Sequence, residues 1–263
     1  MDADLDANGW TPQVTNWTCK SVDGGGHAIR NIQHTISGGY SLFRITRNSG
    51  CEIKNTKFLN LVLTPGTPWG SSLIYGMYTV RIANCEFQGL VQVGALIDGT
   101  GYISQSTFAF ESGSYGRALN LAGKVSNPAE TFVDECYFDC TNGDGEYFTQ
   151  SIIDFTSPTF AIVSNCYLKG KVKVNDNTIP VINGIIHNCV VNIEFTPKNS
   201  TVTTLRIGKP SIELSGTTLY NTTKVGEGLT VEAQTDLVGL SDTDLKYPGG
   251  LTAIPPTGFP LVI

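Results

Sequence analysis

One six-residue phrase recurs along this chain and constrains its fold more than any single residue does. It reads IANCEF at 82–87 and returns as IKNTKF at 53–58, ISQSTF at 103–108 and VDECYF at 133–138. Further copies are VSNCYL at 163–168, IHNCVV at 186–191 and a weaker LSGTTL at 214–219. The starts lie 29, 21, 30, 30, 23 and 28 residues apart. Repetition at this interval marks a chain assembled from stacked modules, each too small to bury its own apolar face.

Aligned, the copies agree by position. Position one holds Ile53, Ile82, Ile103, Val133, Val163, Ile186 and Leu214. Position three holds Asn55, Asn84, Gln105, Glu135, Asn165, Asn188 and Gly216. Position four is small throughout: Thr56, Cys85, Ser106, Cys136, Cys166, Cys189 and Thr217. Position six is apolar again, from Phe58 and Phe87 to Leu219. In an uninterrupted strand, positions one and six would face opposite sides. Both reach one interior only if the chain bends near position three, where Asn tolerates a left-handed conformation. Stacked bends place Asn55, Asn84, Asn165 and Asn188 in a ladder at a spacing of about 4.8 Å. Cys85, Cys136, Cys166 and Cys189 then form a packing column inside a crowded corner, where cysteine acts as a compact hydrophobe.

Further short apolar runs separate the phrases, among them SSLIYG (71–76), GALIDG (94–99), QSIIDF (150–155) and KVKVN (171–175). Each unit thus offers about three short strands. With 40% hydrophobic residues, 15% charged residues and 29 glycines, the composition suits strands and turns rather than disorder or helices. A β-sandwich competes, but sandwiches do not repeat a small slot in register. Left-handed hexapeptide helices need a regular 18-residue coil, which the uneven spacings above do not supply. From about residue 41 to 220, the I-x-N-C-x-F phrase resembles right-handed parallel β-helix proteins, the pectate-lyase-like enzymes and phage tailspikes. The expected fold is all-β, a right-handed single-stranded parallel β-helix of about seven to eight coils. The expected organisation is an N-terminal cap and attachment segment (1–40), the β-helix (41–225), and a closing coil with a Pro/Gly-rich tail (226–263).

The resemblance does not carry an active site with it, because the calcium and arginine constellation of pectate lyases has no residue-by-residue match. Enzymes on such a scaffold place carboxylates on one outward column, and here that column aligns Tyr75, Asp98, Leu121, Asp154 and Asn183. Asp98 and Asp154 would stand roughly 9.5 Å apart across two strand spacings. That is at the limit of the ~6.5–9.5 Å used by inverting glycosidases. Both residues also open turns, as DGTG and DFTSP, which is their plainer role. Candidate ligand contacts are Tyr75, Asp98, Trp69, Tyr115 and Tyr147, the last three on loops beside polar residues.

No metal site and no cofactor are expected. The run at Asn142, Asp144 and Glu146 lacks the glycine and distal glutamate of a calcium loop. Cys136 and Cys140 have no second ligand pair at zinc spacing. A net charge of −6 disfavours nucleic acid, and no apolar run approaches a membrane span. The acidic start, MDADLDANGW, is unlike a secretory signal. These features and the resemblance together give an expected function: a non-enzymatic virion protein. It would be a tail spike, fibre or head-decoration subunit, assembled in the host cytoplasm and able to bind surface polysaccharide. A homotrimer is expected, with residues 1–40 and 246–263 meeting other virion proteins. The competing expectation is a polysaccharide lyase or hydrolase using Asp98 and Asp154.

Overall fold

The computed structural model describes residues 1–10, 15–17, 20–36, 41–45, 51–65, 72–91, 95–112, 117–121, 132–142, 152–155, 162–209, 217–234 and 236–241. Trp69, Tyr115, Tyr147 and the tail at 246–263 lie outside them. Strands dominate, and among the described residues the one helical element is a single 3₁₀ turn, Thr222–Lys224.

Each unit contributes three strands, here called a, b and c in chain order. In the unit around Cys136 they are Arg117–Leu121, Phe132–Asp134 and Tyr137–Asn142. Every a strand pairs with the a strands of neighbouring units, and likewise for b and c. All the pairings are parallel. Among the described residues the c strands form an 11-stranded sheet, most a and b strands a 12-stranded one, and Thr204–Leu205 pairs separately with Thr230–Val231. In two units a and b fuse into one bent strand, Ser72–Ala83 and Ala95–Ser104. The bend in the second sits at Gly99, whose φ is +131°. A Cβ there would lie 2.4 Å from the Gly76 carbonyl oxygen, so the corner closes only on glycine.

The recurrent phrase straddles the b–c corner as the spacing requires. Asn55, Asn84, Gln105, Glu135, Asn165 and Asn188 all adopt φ between 48° and 52°. Position-one residues pair in an unbroken column, Ile53–Ile82–Ile103–Val133–Val163–Ile186. Past the corner, Phe58, Phe87, Phe108 and Phe138 stack inside, with ring centroids 5.0, 5.1 and 4.9 Å apart. These rings and the position-one aliphatics belong to a single continuous core running through the units.

The last copy of the phrase shifts by one residue against the sequence alignment. In the seventh copy Leu219 pairs with Val190 and Tyr220 with Val191, so the buried position four is Thr218 and not Thr217. At the other end, Ser21–Asp23 pairs with the b strand Cys51–Lys54, and Ala28–Arg30 with the c strand Lys57–Pro65. The parallel ladder therefore continues into the 1–40 segment, although no recognisable phrase occurs there.

Candidate functional site

The corner itself is built from hydrogen bonds that the sequence pattern leaves implicit. Each position-four side chain donates to the carbonyl of position two in its own unit: Thr56 to Lys54, Cys85 to Ala83, Ser106 to Ser104, Cys136 to Asp134, Cys166 to Ser164, Cys189 to His187. Each of these four cysteines also reaches the position-one carbonyl of the preceding unit, at 3.4–3.8 Å. Position four therefore needs a small side chain with a donor, and Thr, Ser and Cys are interchangeable there for that reason. Outside the corner, Asn84 donates to Asn55 at 2.8 Å and Asn55 to Asp23 at 3.0 Å. Asn188 donates to Asn165 at 2.6 Å and Asn165 to Asp134 at 2.8 Å, while Gln105 pairs with Glu135. Among the described residues the amide ladder is thus two segments, with the Gln105–Glu135 pair standing between them.

The outward column of the a strands differs from the sequence alignment in one decisive place. Its register is Asn16–Arg44–Tyr75–Asp98–Asn120–Asp154–Asn183. Asn120, not Leu121, stands between Asp98 and Asp154, so the column is polar at every described position. Leu121 pairs with Gly99 and Phe155 instead. Alternation fixes the facing: Phe43, Ile74, Ile97, Leu119, Ile153 and Ile182 are buried, while Arg44, Tyr75, Asp98 and Asn183 are half-exposed. Asp98 and Asp154 occupy positions two strands apart in this sheet.

A second outward feature lies on the b strands, and no sequence motif announced it. The residues immediately before and after position one both point away from the core. The first set runs Glu52–Arg81–Tyr102–Phe132–Ile162–Ile185 and the second Lys54–Ala83–Ser104–Asp134–Ser164–His187. Between them, from Tyr102 to His187, is a groove of about 470 Å³. One wall is apolar: the Tyr102 and Phe132 rings stack with centroids 5.8 Å apart, and the Arg81 guanidinium lies 5.4 Å from the Tyr102 centroid. The other is polar. The Asp134 Oδ1 accepts from Ser164 Oγ at 2.7 Å and from Asn165 Nδ2. His187 Nδ1 is buried with no hydrogen-bond partner among the described residues. Residue type varies from unit to unit at these positions, so no repeat signal marks them. Scanning the outward neighbours of position one for adjacent aromatics would have found Tyr102 and Phe132.

On the c sheet a third cluster reads as structural. Tyr137 and Tyr167 stack at 5.6 Å, and Lys169 contacts Asp139 at 2.9 Å. Partial burial lowers the Lys169 pKa, but hydrogen bonds to Tyr137 and Asp139 outweigh it, so the ammonium is held above the usual lysine range. Cys136 and Cys140 are both buried free thiols, Cys136 at the corner and Cys140 within its c strand. Among the described residues no group of three His, Cys, Asp or Glu side chains converges as a metal-binding cluster.

Comparison of the chain with protein-family models, with curated proteins and with solved structures returned no match.

Proposed function

We propose that the chain is a right-handed parallel β-helix of about seven to eight coils, acting as a rigid, non-enzymatic rod that binds extended carbohydrate. The observation that carries this reading is the a-strand column. Residues of hydrogen-bonding type, Tyr75, Asp98, Asn120, Asp154 and Asn183, register there at successive strand steps of about 4.8 Å, a linear order suited to a linear polymer of hydroxyl-bearing rings. Within this proposal the chain is a virion surface subunit, a tail spike, fibre or head-decoration protein assembled as a homotrimer. Cys85, Cys136, Cys140, Cys166 and Cys189, buried thiols outside any disulfide, suit a chain that folds where thiols stay reduced.

One observation favours the enzymatic alternative. With Asn120 between them, Asp98 and Asp154 lie on an uninterrupted polar strip rather than across a leucine. A hydrolase or lyase acting on polysaccharide could use that strip as its cleft.

Both readings face one experiment. The protein is incubated with pectin, dextran and bacterial capsule polysaccharides, and retention on immobilised polymer is measured beside release of reducing ends and unsaturated products. Retention without turnover supports the binding rod. Turnover abolished by Asp98→Asn or Asp154→Asn overturns it in favour of the enzyme. Absence of both retention and turnover removes the carbohydrate role. Light scattering of the native protein tests the trimer directly, and a monomer at micromolar concentration overturns that element.

A further inference from the structure

The b-strand groove is separate from the polar a-strand column, and its chemistry is different. Its volume of about 470 Å³ falls within the roughly 300–1,000 Å³ of small-molecule sites. Its lining has the division such sites show: apolar bodies on one side and a few polar atoms that fix orientation on the other. Tyr102, Phe132 and Ile162 supply the apolar side, Asp134, Ser164 and His187 the polar one.

Two of the polar groups have capacity left. Among the described residues both hydrogen bonds to the Asp134 carboxylate end on Oδ1, from Ser164 and Asn165, which leaves Oδ2 for a donor from a ligand. Those same two bonds hold the carboxylate in place, so little ordering is lost when a ligand arrives. His187 bonds no described side chain, and its buried Nδ1 is a polar atom left without a partner, which native structures seldom tolerate without cause. A half-turn of the ring exchanges Nδ1 with Cδ2, so the side chain has a second placement for that nitrogen.

A sugar ring carries the complementary division, with C–H groups on its face and hydroxyls around its rim. The Asp134 carboxylate accepts from hydroxyls and repels anions, so the ring it suits is neutral rather than a uronic acid. From this we infer that the groove is a second carbohydrate subsite. It holds one neutral sugar residue, with Asp134 Oδ2 and His187 on its hydroxyls and the Tyr102–Phe132 wall against its C–H face. The inference rests on the carbohydrate-binding reading above and gives it a specific address and a ligand class.

The test is isothermal titration of the full chain with neutral disaccharides (maltose, cellobiose and lactose) and with digalacturonate. At least one neutral disaccharide should bind with a Kd in the millimolar range or tighter, and digalacturonate more weakly. Asp134→Asn and His187→Gln should each weaken that binding tenfold or more. Melting temperatures should stay close to wild type, and Phe132→Leu serves as the third variant if Asp134→Asn disturbs the amide ladder. The inference fails if no neutral disaccharide binds at up to about 50 mM. It also fails if digalacturonate binds better, or if binding survives the variants. Immobilised polymer separates the two proposals. Retention lost with Asp98→Ala but kept in the groove variants overturns the groove alone, retention indifferent to both sets overturns both addresses, and no retention of the wild-type chain overturns the carbohydrate reading itself.

Discussion

At the scale of the residue, the corner sets two demands and the sequence answers each with a narrow choice. Position three must adopt positive φ, and a side chain other than Asn or Gly pays for that in the left-handed region. Gln105 and Glu135 show that the surrounding strands can enforce the bend on longer side chains. Asn84 supplies both the conformation and a 2.8 Å bond to Asn55. Asn84→Gly keeps the first and loses the second, a cost of about 0.5–1.5 kcal/mol for one exposed or partly exposed hydrogen bond. Asn84→Ala loses both, and should be less stable than Asn84→Gly by a further 1 kcal/mol or so. Urea unfolding midpoints measure the difference; equal stability of the two variants would mean that the bend stores no conformational demand.

At the scale of the element, the c strands owe their alignment to what they bury. Phe87 lies between Phe58 and Phe108 at 5.0 and 5.1 Å, with interplanar angles of 7° and 2°, and is fully buried. Phe87→Ala opens a cavity between two rings and should cost about 3–5 kcal/mol. Phe87→Leu should cost less than half as much, because Leu168 already fills the corresponding slot beside Phe138. Thermal unfolding distinguishes the pair. A Phe87→Ala variant as stable as wild type would show that the ring stack contributes nothing to the register. The same logic explains the slip in the last copy. LSGTTL keeps an apolar residue at each end, but burial of Thr218 and Asn221 sets its register one residue later than the alignment does.

At the scale of the whole molecule, stacking converts local preferences into columns that act together. Burial pushes the Cys85 thiol up to about 12 and the Cys140 thiol well above the ordinary range. A raised thiol pKa stabilises the fold fully below about pH 9, the value for the unfolded chain. That contribution is lost progressively as pH rises toward 12. Stability should therefore fall between pH 9 and 11, and native thiols should resist alkylation at pH 8 until denaturant exposes them. Rapid labelling of Cys85, Cys136, Cys166 and Cys189 in the native protein would contradict the buried column.

The bend, the small slot and the inward apolar positions were legible in the chain alone. Each depends on the local backbone and on side-chain size, and each recurs at the same place in the phrase. The outward faces were not legible in the same way. The a-strand register turned on whether Asn120 or Leu121 meets Asp98, a one-residue choice that segments of unequal length leave open and that flips a side chain from one face to the other. Tyr102, Phe132, Ser164 and His187 come from four different units and carry no shared residue type. Sequence by itself determined a stacked, all-β chain with its corners and core, because those features are written once per unit. Only the tertiary structure decided which outward residues become neighbours, because that depends on pairing between strands some 20–30 residues apart, and no residue in such a pair specifies its partner.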